Sequence, residues 1–446
     1  MLKWMQMTFF GAVLLVGVAL AMVWTLRAVA PDVSGRHALA VMEVPPRAAP
    51  PGENGATWLM FNNLRVPERE VEVAVATELD AFRIWHHGMG ARFVALADSN
   101  EHESPTFASP AARRYPQRDP MRTSDALCSY AGLDCLAKVK TDSERARRIL
   151  AAESERLALA DRSLAAAHVT NLFPESMDTP LPAYQLWQLS ITATAMRSVD
   201  GDGPGALART CDQLTAVRQF ARQARGLVDK MVASAATRGV AGLLLSLRKE
   251  HPEVALPESC AAATSPVDNA DYYVCDSMRG EYRMMASLSR QQSEEMARRG
   301  DLRSVLLRVF LLDDGLQRMW MAESLAGDCT PEYLLSVDQG TAPDSPRKGI
   351  TTTEARCYAA FLSCALAKIA QPAYRDYQVR LLDDAAKLRL LLAAQRLAGG
   401  EIDLETALAE AASPGYSPPL HDASTKTMSI TPREDKPDHG SFTVSL

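Results

Sequence analysis

Between positions 4 and 26 no charged residue interrupts the chain, and the stretch FFGAVLLVGVALAMVWTL is apolar except for one threonine. An uncharged run of this length crosses a bilayer as one helix. A cleaved signal peptide is the competing reading. Apolar residues continue well past the possible cleavage site ALA at 19–21, and Pro31 directly follows the other, AVA at 28–30. Proline after the cut blocks the peptidase, so the pattern predicts an uncleaved transmembrane anchor over residues 1–30. Within it Gly17 and Ala21 form a small-xxx-small pair, a weak homodimer face.

Beyond the anchor the pattern changes several times. Residues 31–57 are rich in Pro, Ala and Gly and read as a tether. Pro67 followed by acidic residues opens a helix with Val71, Val75, Leu79 and Phe82 on one face. Residues 98–124 carry several prolines and read as a long loop. A capping box at Thr141–Glu144 begins a helix predicted to reach about Ala167. NLFPESMDTPLP breaks it, LPAYQLWQLSITATAMRS resumes, and DGDGPG at 200–205 breaks the chain again. TCDQLTAVRQFARQAR and VDKMVASAATRGVAGLLLSLRKE then form an αα-hairpin. Further amphipathic segments with short connections follow up to Gly399-Gly400, which predicts stacked antiparallel helices. In the tail, KTMSITPR and SFTVSL alternate across a Pro/Asp/Gly turn and predict a small β-hairpin. The expected class is therefore all-α. An anchor and a tether lead to a disulfide-stapled antiparallel helical domain over 58–412, followed by an extended or β segment over 413–446.

Composition narrows the partners. The 446 residues are 47% hydrophobic and 23% charged, as in a folded chain. A net charge of −6 with no basic stretch argues against nucleic acid. Charge does not orient the anchor: Lys3 precedes the span, whereas Arg27, Arg36 and Arg47 follow it.

Cysteine decides the compartment. There are eight: Cys128, Cys135, Cys211, Cys260, Cys275, Cys329, Cys357 and Cys364, an even number, all after the span. The chain lacks C-x2-C pairs and helically spaced histidines near the thiols, so metal or redox chemistry is disfavoured. Disulfides formed in an oxidising compartment are the expectation. The turn residues in CSYAGLDC allow Cys128 to join Cys135, and the hairpin brings Cys211 to Cys260. RCYAAFLSCALAKIA holds no Gly or Pro and reads as helix. Seven residues of helix rise about 10.5 Å, beyond the roughly 7 Å that a disulfide spans. Cys357 and Cys364 are therefore expected to bond to different partners, Cys275 and Cys329, in an order that the sequence leaves open.

Candidate chemistry is sparse. No residue is expected to be catalytic, to bind a cofactor or to hold a metal. His86 and His87 lie near Asp98, His102 and Glu103, but neighbours on a helix point apart. Ser345 and Lys348 match S-x-x-K formally, yet Pro346 sits where a helix would have to begin. Arg279 and Glu281 in CDSMRGEY are expected to form a structural ion pair or a solvated face and not an acid/base or ligand pair, with Gly280 marking close helix packing. Asp313-Asp314 and Asp383-Asp384 should diverge on their helices.

CSYAGLDCLAKV, NLFPESMDTPLPAYQ and CDSMRGEY resemble segments of a group of uncharacterised, membrane-anchored periplasmic proteins of Gram-negative bacteria, loosely over residues 55–400. The resemblance implies a location in the inner membrane, single-pass, with the bulk of the chain in the periplasm, and a helical fold; it implies no activity. The expected function is non-enzymatic: a helical surface offered to an unknown periplasmic protein partner, as an envelope scaffold or a toxin-neutralising immunity protein. The alternative is an envelope hydrolase acting on peptidoglycan or lipid. That reading requires convergent carboxylates in a cleft, or His168 or His251 beside a serine or carboxylate in a concave pocket.

Overall fold

A computed structural model describes residues 2–29, 33–88, 106–121, 125–130, 132–176, 178–341, 355–369, 376–433 and 441–446. The helices used below are α1 (Leu2–Val29), α2 (Val33–Met42), α3 (Val71–His87), α4 (Trp187–Val199), α5 (Gly203–Gln223), α6 (Leu227–Glu250), α7 (Cys275–Arg299), α8 (Leu302–Phe310), α9 (Asp314–Leu325), α10 (Phe361–Ile369) and α11 (Tyr377–Ala398).

The centre is the antiparallel pair α5 and α6, with α11 packed along α6. α11 is buried nearly all round: Leu381, Leu382, Leu388, Leu390 and Leu391 are covered together with the alanines between them. A helix covered on nearly every side lies in the middle of a core, and its buried Asp383 and Asp384 are bonded there to Tyr416, Ser234 and Arg238. α4 lies against α5, and the short helices Cys135–Thr141, Ser143–Ala152 and Ser154–Ala165 cover α4. The helix predicted from the capping box to about Ala167 starts where expected, at Ser143, with the Asp142 carboxylate capping it through Arg145 N–H at 3.3 Å. It departs from the prediction at Glu153, where it breaks and Glu153 pairs with Arg156 in the interior at 2.5 Å, and it ends at Ala165.

The mostly helical class stands, but as a stack of many helices with one hairpin at its heart. The tail is a three-stranded antiparallel sheet and not a two-stranded hairpin. β1 (Leu420–Asp422) pairs with β2 (Thr427–Ile430), and β2 with β3 (Phe442–Ser445). Met428 and Val444 sit opposite one another, both buried, and the sheet closes over α11.

Residues 33–57, the described part of the expected tether, are not a free linker. Val33–Met42 is helical and packs on α9 with Met42 fully covered. Glu43 then accepts bonds from Tyr282 Oη at 3.2 Å and Arg318 at 2.9 Å. Among the described residues, no helix is long and apolar enough to cross a membrane. α1 runs from Leu2 to Val29, but the side chains of residues 2–10, 12, 13 and 16 lie outside the description. Of those described, Leu14, Leu15, Val18, Met22 and Trp24 are exposed.

The structure contains Cys128–Cys135, Cys211–Cys260, Cys275–Cys329 and Cys357–Cys364. The last two correct the expectation that Cys357 and Cys364 take separate partners. Residues Ala355–Ala359 form a 3-10 turn and α10 starts only at Phe361, so the two Cα atoms are 5.4 Å apart. Neighbours impose the break. The Leu311 carbonyl accepts Leu362 N–H at 3.0 Å, and Ser363 Oγ accepts Asp313 N–H at 3.0 Å. These contacts fix where α10 begins, against a local preference for continuous helix.

Candidate functional site

The α5–α6 turn carries Gln223, Ala224, Arg225, Gly226 and Leu227, and α7 passes directly beside it. Gly280 makes this approach possible. A Cβ at that position would stand 2.2 Å from the Arg225 carbonyl oxygen. Ser277 Oγ donates to the Gly226 carbonyl at 3.4 Å, and Lys230, itself buried, donates to the carbonyls of Ala221 and Asp271 at 2.6 Å each. The turn is thus tied down from both sides.

The NLFPESMDTPLP segment folds against this turn as a braced loop. Asn171 donates to the Pro180 carbonyl at 3.3 Å and accepts Phe173 N–H at 3.1 Å, and Thr179 accepts Ser176 N–H at 2.9 Å. Between loop, turn and α7 lies a half-open cleft of about 470 Å³, a size suited to a small molecule or a few peptide residues. Phe173, Leu172, Leu181, Val228 and Met284 give it apolar walls. Leu181 and Val228 are half or more exposed at its rim. Beneath it, Tyr184, Trp187 and Phe220 pack ring against ring at centroid distances of 5.2–5.4 Å.

Three carboxylates line the cleft. Asp229, in the first turn of α6, accepts Tyr184 Oη at 2.8 Å. Glu281 reaches from α7 to accept Leu227 N–H at 3.3 Å. Both complement the positive end of α6. Burial pushes the Asp229 carboxyl up to about 6, opposed by the bonds from Tyr184 and Gly226 N–H and aided by the charge of Glu281. Burial and the Asp229 charge drive the Tyr184 hydroxyl upward in turn. A third carboxylate, Glu175, is engaged bidentately by Arg283 at 2.7 Å. A smaller basic cavity of about 290 Å³ adjoins the cleft through Pro46, Thr170, Gln223 and Arg225, and its wall carries Arg47, Arg222, Arg279 and Arg283 with Asp276.

The expected Arg279–Glu281 ion pair is corrected by this geometry. Residues two apart on a helix face different directions. Arg279 goes to Asp276 at 3.0 Å and the Val41 carbonyl at 3.1 Å, while Glu281 turns to the α6 N-terminus. Their helix is nonetheless the one that builds the cleft.

The other candidates fall elsewhere. His86 faces α7, with Nε2 2.8 Å from Gln291 and 3.1 Å from Ser287, while His87 is exposed. Asp98, His102, Glu103, Ser345 and Lys348 lie outside the described residues. Among the described residues no cluster of His, Cys, Asp and Glu is arranged to hold a metal ion. Asp313 caps α9 through Leu316 N–H at 2.9 Å, and Asp314 accepts from Ser289 and Arg318. Asp383 accepts from Tyr416, and Asp384 from Ser234 and Arg238. His168 Nδ1 is 3.1 Å from Thr170 Oγ1. His251 Nε2 is 3.2 Å from Ser198 Oγ, with Glu253 3.9 Å from Nδ1. This is a serine–histidine–carboxylate sequence of contacts, yet none of the three residues lines the cleft or its basic neighbour.

Sequence reasoning passed over Asp229. It sits in an ordinary helical stretch, and the one available signal was that two of the distinctive segments, NLFPESMDTPLP and CDSMRGEY, converge here. Comparisons with protein-family models, with curated proteins and with solved structures find no match for this chain.

Proposed function

We propose that this is a membrane-anchored envelope protein, without catalytic activity of its own, that receives a segment of a protein partner in the cleft over Asp229. α1 would cross the inner membrane, with the body in the periplasm and Gly17 and Ala21 offering a weak homodimer face. Support for the location comes from the exposed apolar side chains of α1 and from the cysteines, all of which are disulfide-bonded among the described residues. Such bonds persist in oxidising compartments. An envelope scaffold and an immunity protein against a periplasm-acting toxin are the two roles that fit.

The observation that carries the binding reading is the apolar rim over an occupied floor. Leu181 and Val228 are exposed on rigidly braced backbone, while Asp229 and Glu281 are already committed to Tyr184 and the α6 N-terminus. Exposed apolar side chains on a fixed concave frame suit a protein segment. A photo-crosslinking residue at Leu181 or Val228 of the full chain in cells should give one discrete adduct, absent when it is placed at the equally exposed Val73 of α3. Identical patterns from all three positions, or no adduct from any, would count against the reading.

A second reading, the envelope hydrolase, rests on Asp229 and Glu281 sharing one cavity while Asp229 is held near 6. A carboxyl raised to about 6, beside a second carboxylate in the same cavity, suits general acid–base chemistry. It requires turnover of peptidoglycan or phospholipid by the purified full chain, lost in both Asp229→Asn and Glu281→Gln.

A further inference from the structure

We infer that the body also rests on the bilayer surface through α8 and the 358–369 segment, at the foot of α1. This goes beyond the anchor reading and depends on it. α8 is an amphipathic helix turned inside out. Leu302, Val305 and Leu306 lie one helical turn apart along its exposed side, with Leu302 75% and Leu306 47% accessible, while the one buried side chain of the helix is Ser304. None of the apolar residues of α8 joins the central core. An apolar stripe facing outward on a folded protein marks an interaction surface.

The stripe continues onto the neighbouring segment. The Leu311 carbonyl accepts the N–H groups of Leu362 and Ser363, which joins the end of α8 to the start of α10. Tyr358 and Ile369 of that segment are 58% and 76% exposed. Arg27, at the last turn of α1, holds the three elements together: it donates to the carbonyls of Ala359 at 3.1 Å, Arg308 at 3.0 Å and Leu312 at 2.8 Å, and lies 3.6 Å from Asp313. The apolar patch therefore lies on elements that contact the last turn of α1.

Charge selects the occupant. Residues 302–312 hold Arg303 and Arg308 and residues 357–369 hold Lys368, while the two acidic residues at the borders of the first stretch are engaged, Asp301 as the cap of α8 through Ser304 and Asp313 with Leu316 N–H and Arg27. Apolar side chains flanked by basic ones, at the base of a membrane helix, suit the headgroup region of an anionic bilayer, where such helices lie about 5–10 Å deep.

The test uses the full chain in vesicles of mixed zwitterionic and anionic phospholipid. A fluorophore is placed on a cysteine introduced at Leu306, Leu15 or Val73, and quenching by brominated lipids is measured. Position 306 should be quenched by lipid brominated near the headgroup and position 15 by lipid brominated near the bilayer centre, and position 73 should not be quenched. Quenching at 15 with 306 no different from 73 would overturn the surface contact and leave the anchor standing. Quenching at neither 15 nor 306 would remove the anchor, and the surface contact with it. Protection of 306 from both brominated lipid and aqueous iodide would assign the patch to protein, a second copy of the chain, and overturn the lipid assignment.

Discussion

Asp229→Asn should make the protein more stable at neutral pH. The native Asp229 residue is 6% exposed, and burial lifts its carboxyl from 3.8 to about 6. A group raised on folding favours the folded state when protonated, so its contribution is fully present below 3.8 and is lost as pH rises through about 6. Across that window the loss amounts to about 3 kcal/mol. Asparagine carries no charge to bury, and its amide oxygen can still accept the Tyr184 hydroxyl. The variant should therefore gain up to about 3 kcal/mol over the native chain near pH 7, with the gain fading to nothing near pH 4. Urea unfolding of both proteins in the same detergent, followed by tryptophan fluorescence at the two pH values, measures the difference. A variant less stable at neutral pH, or a difference that does not change with pH, would refute the reasoning.

The remaining expectations are simpler. Replacing Cys211 and Cys260 together by alanine should lower stability by about 4 kcal/mol, against about 2.5 kcal/mol for Cys128 and Cys135, because the closed loops span 49 and 7 residues; paired denaturation curves report the order. Gly280→Ala forces a Cβ to 2.2 Å from the Arg225 carbonyl oxygen and should cost about 1–3 kcal/mol. Gly17→Ala, with open space around it, should leave the midpoint of unfolding unchanged. Arg27→Ala frees the carbonyls of Arg308, Leu312 and Ala359, and hydrogen exchange should rise in α8 and at the start of α10 with little change in α6.

Local patterns carried much of the architecture into the sequence. The hairpin of α5 and α6 was readable from two amphipathic stretches around a break, although the bond to Cys211, midway along α5, is made by the short helix Cys260–Ala263 packed back on α5 and not by the hairpin's outer ends. The Cys128–Cys135 bond followed from turn residues within one short loop. Cys357 and Cys364 misled because nothing in their own segment breaks a helix; the Leu311 carbonyl and Ser363, engaged from outside it, decide where α10 starts. The helix in residues 31–57 was hidden in the same way, since its stability comes from packing on α9. The cleft was not legible because its parts lie near 171, 228 and 281, and a burial-driven rise at Asp229 depends on rings contributed by other elements. Arg279 and Glu281 were noticed for the wrong reason: their spacing separates them, and Glu281 matters through α6.

Alkylation of the protein extracted from cells without reductant and then denatured counts its thiols directly. With the body in an oxidising compartment and bonds at Cys128–Cys135, Cys211–Cys260, Cys275–Cys329 and Cys357–Cys364, no thiol should react before reduction and eight should react after it. Eight reactive thiols before reduction would contradict the disulfide framework and, with it, the placement of the body outside the cytoplasm.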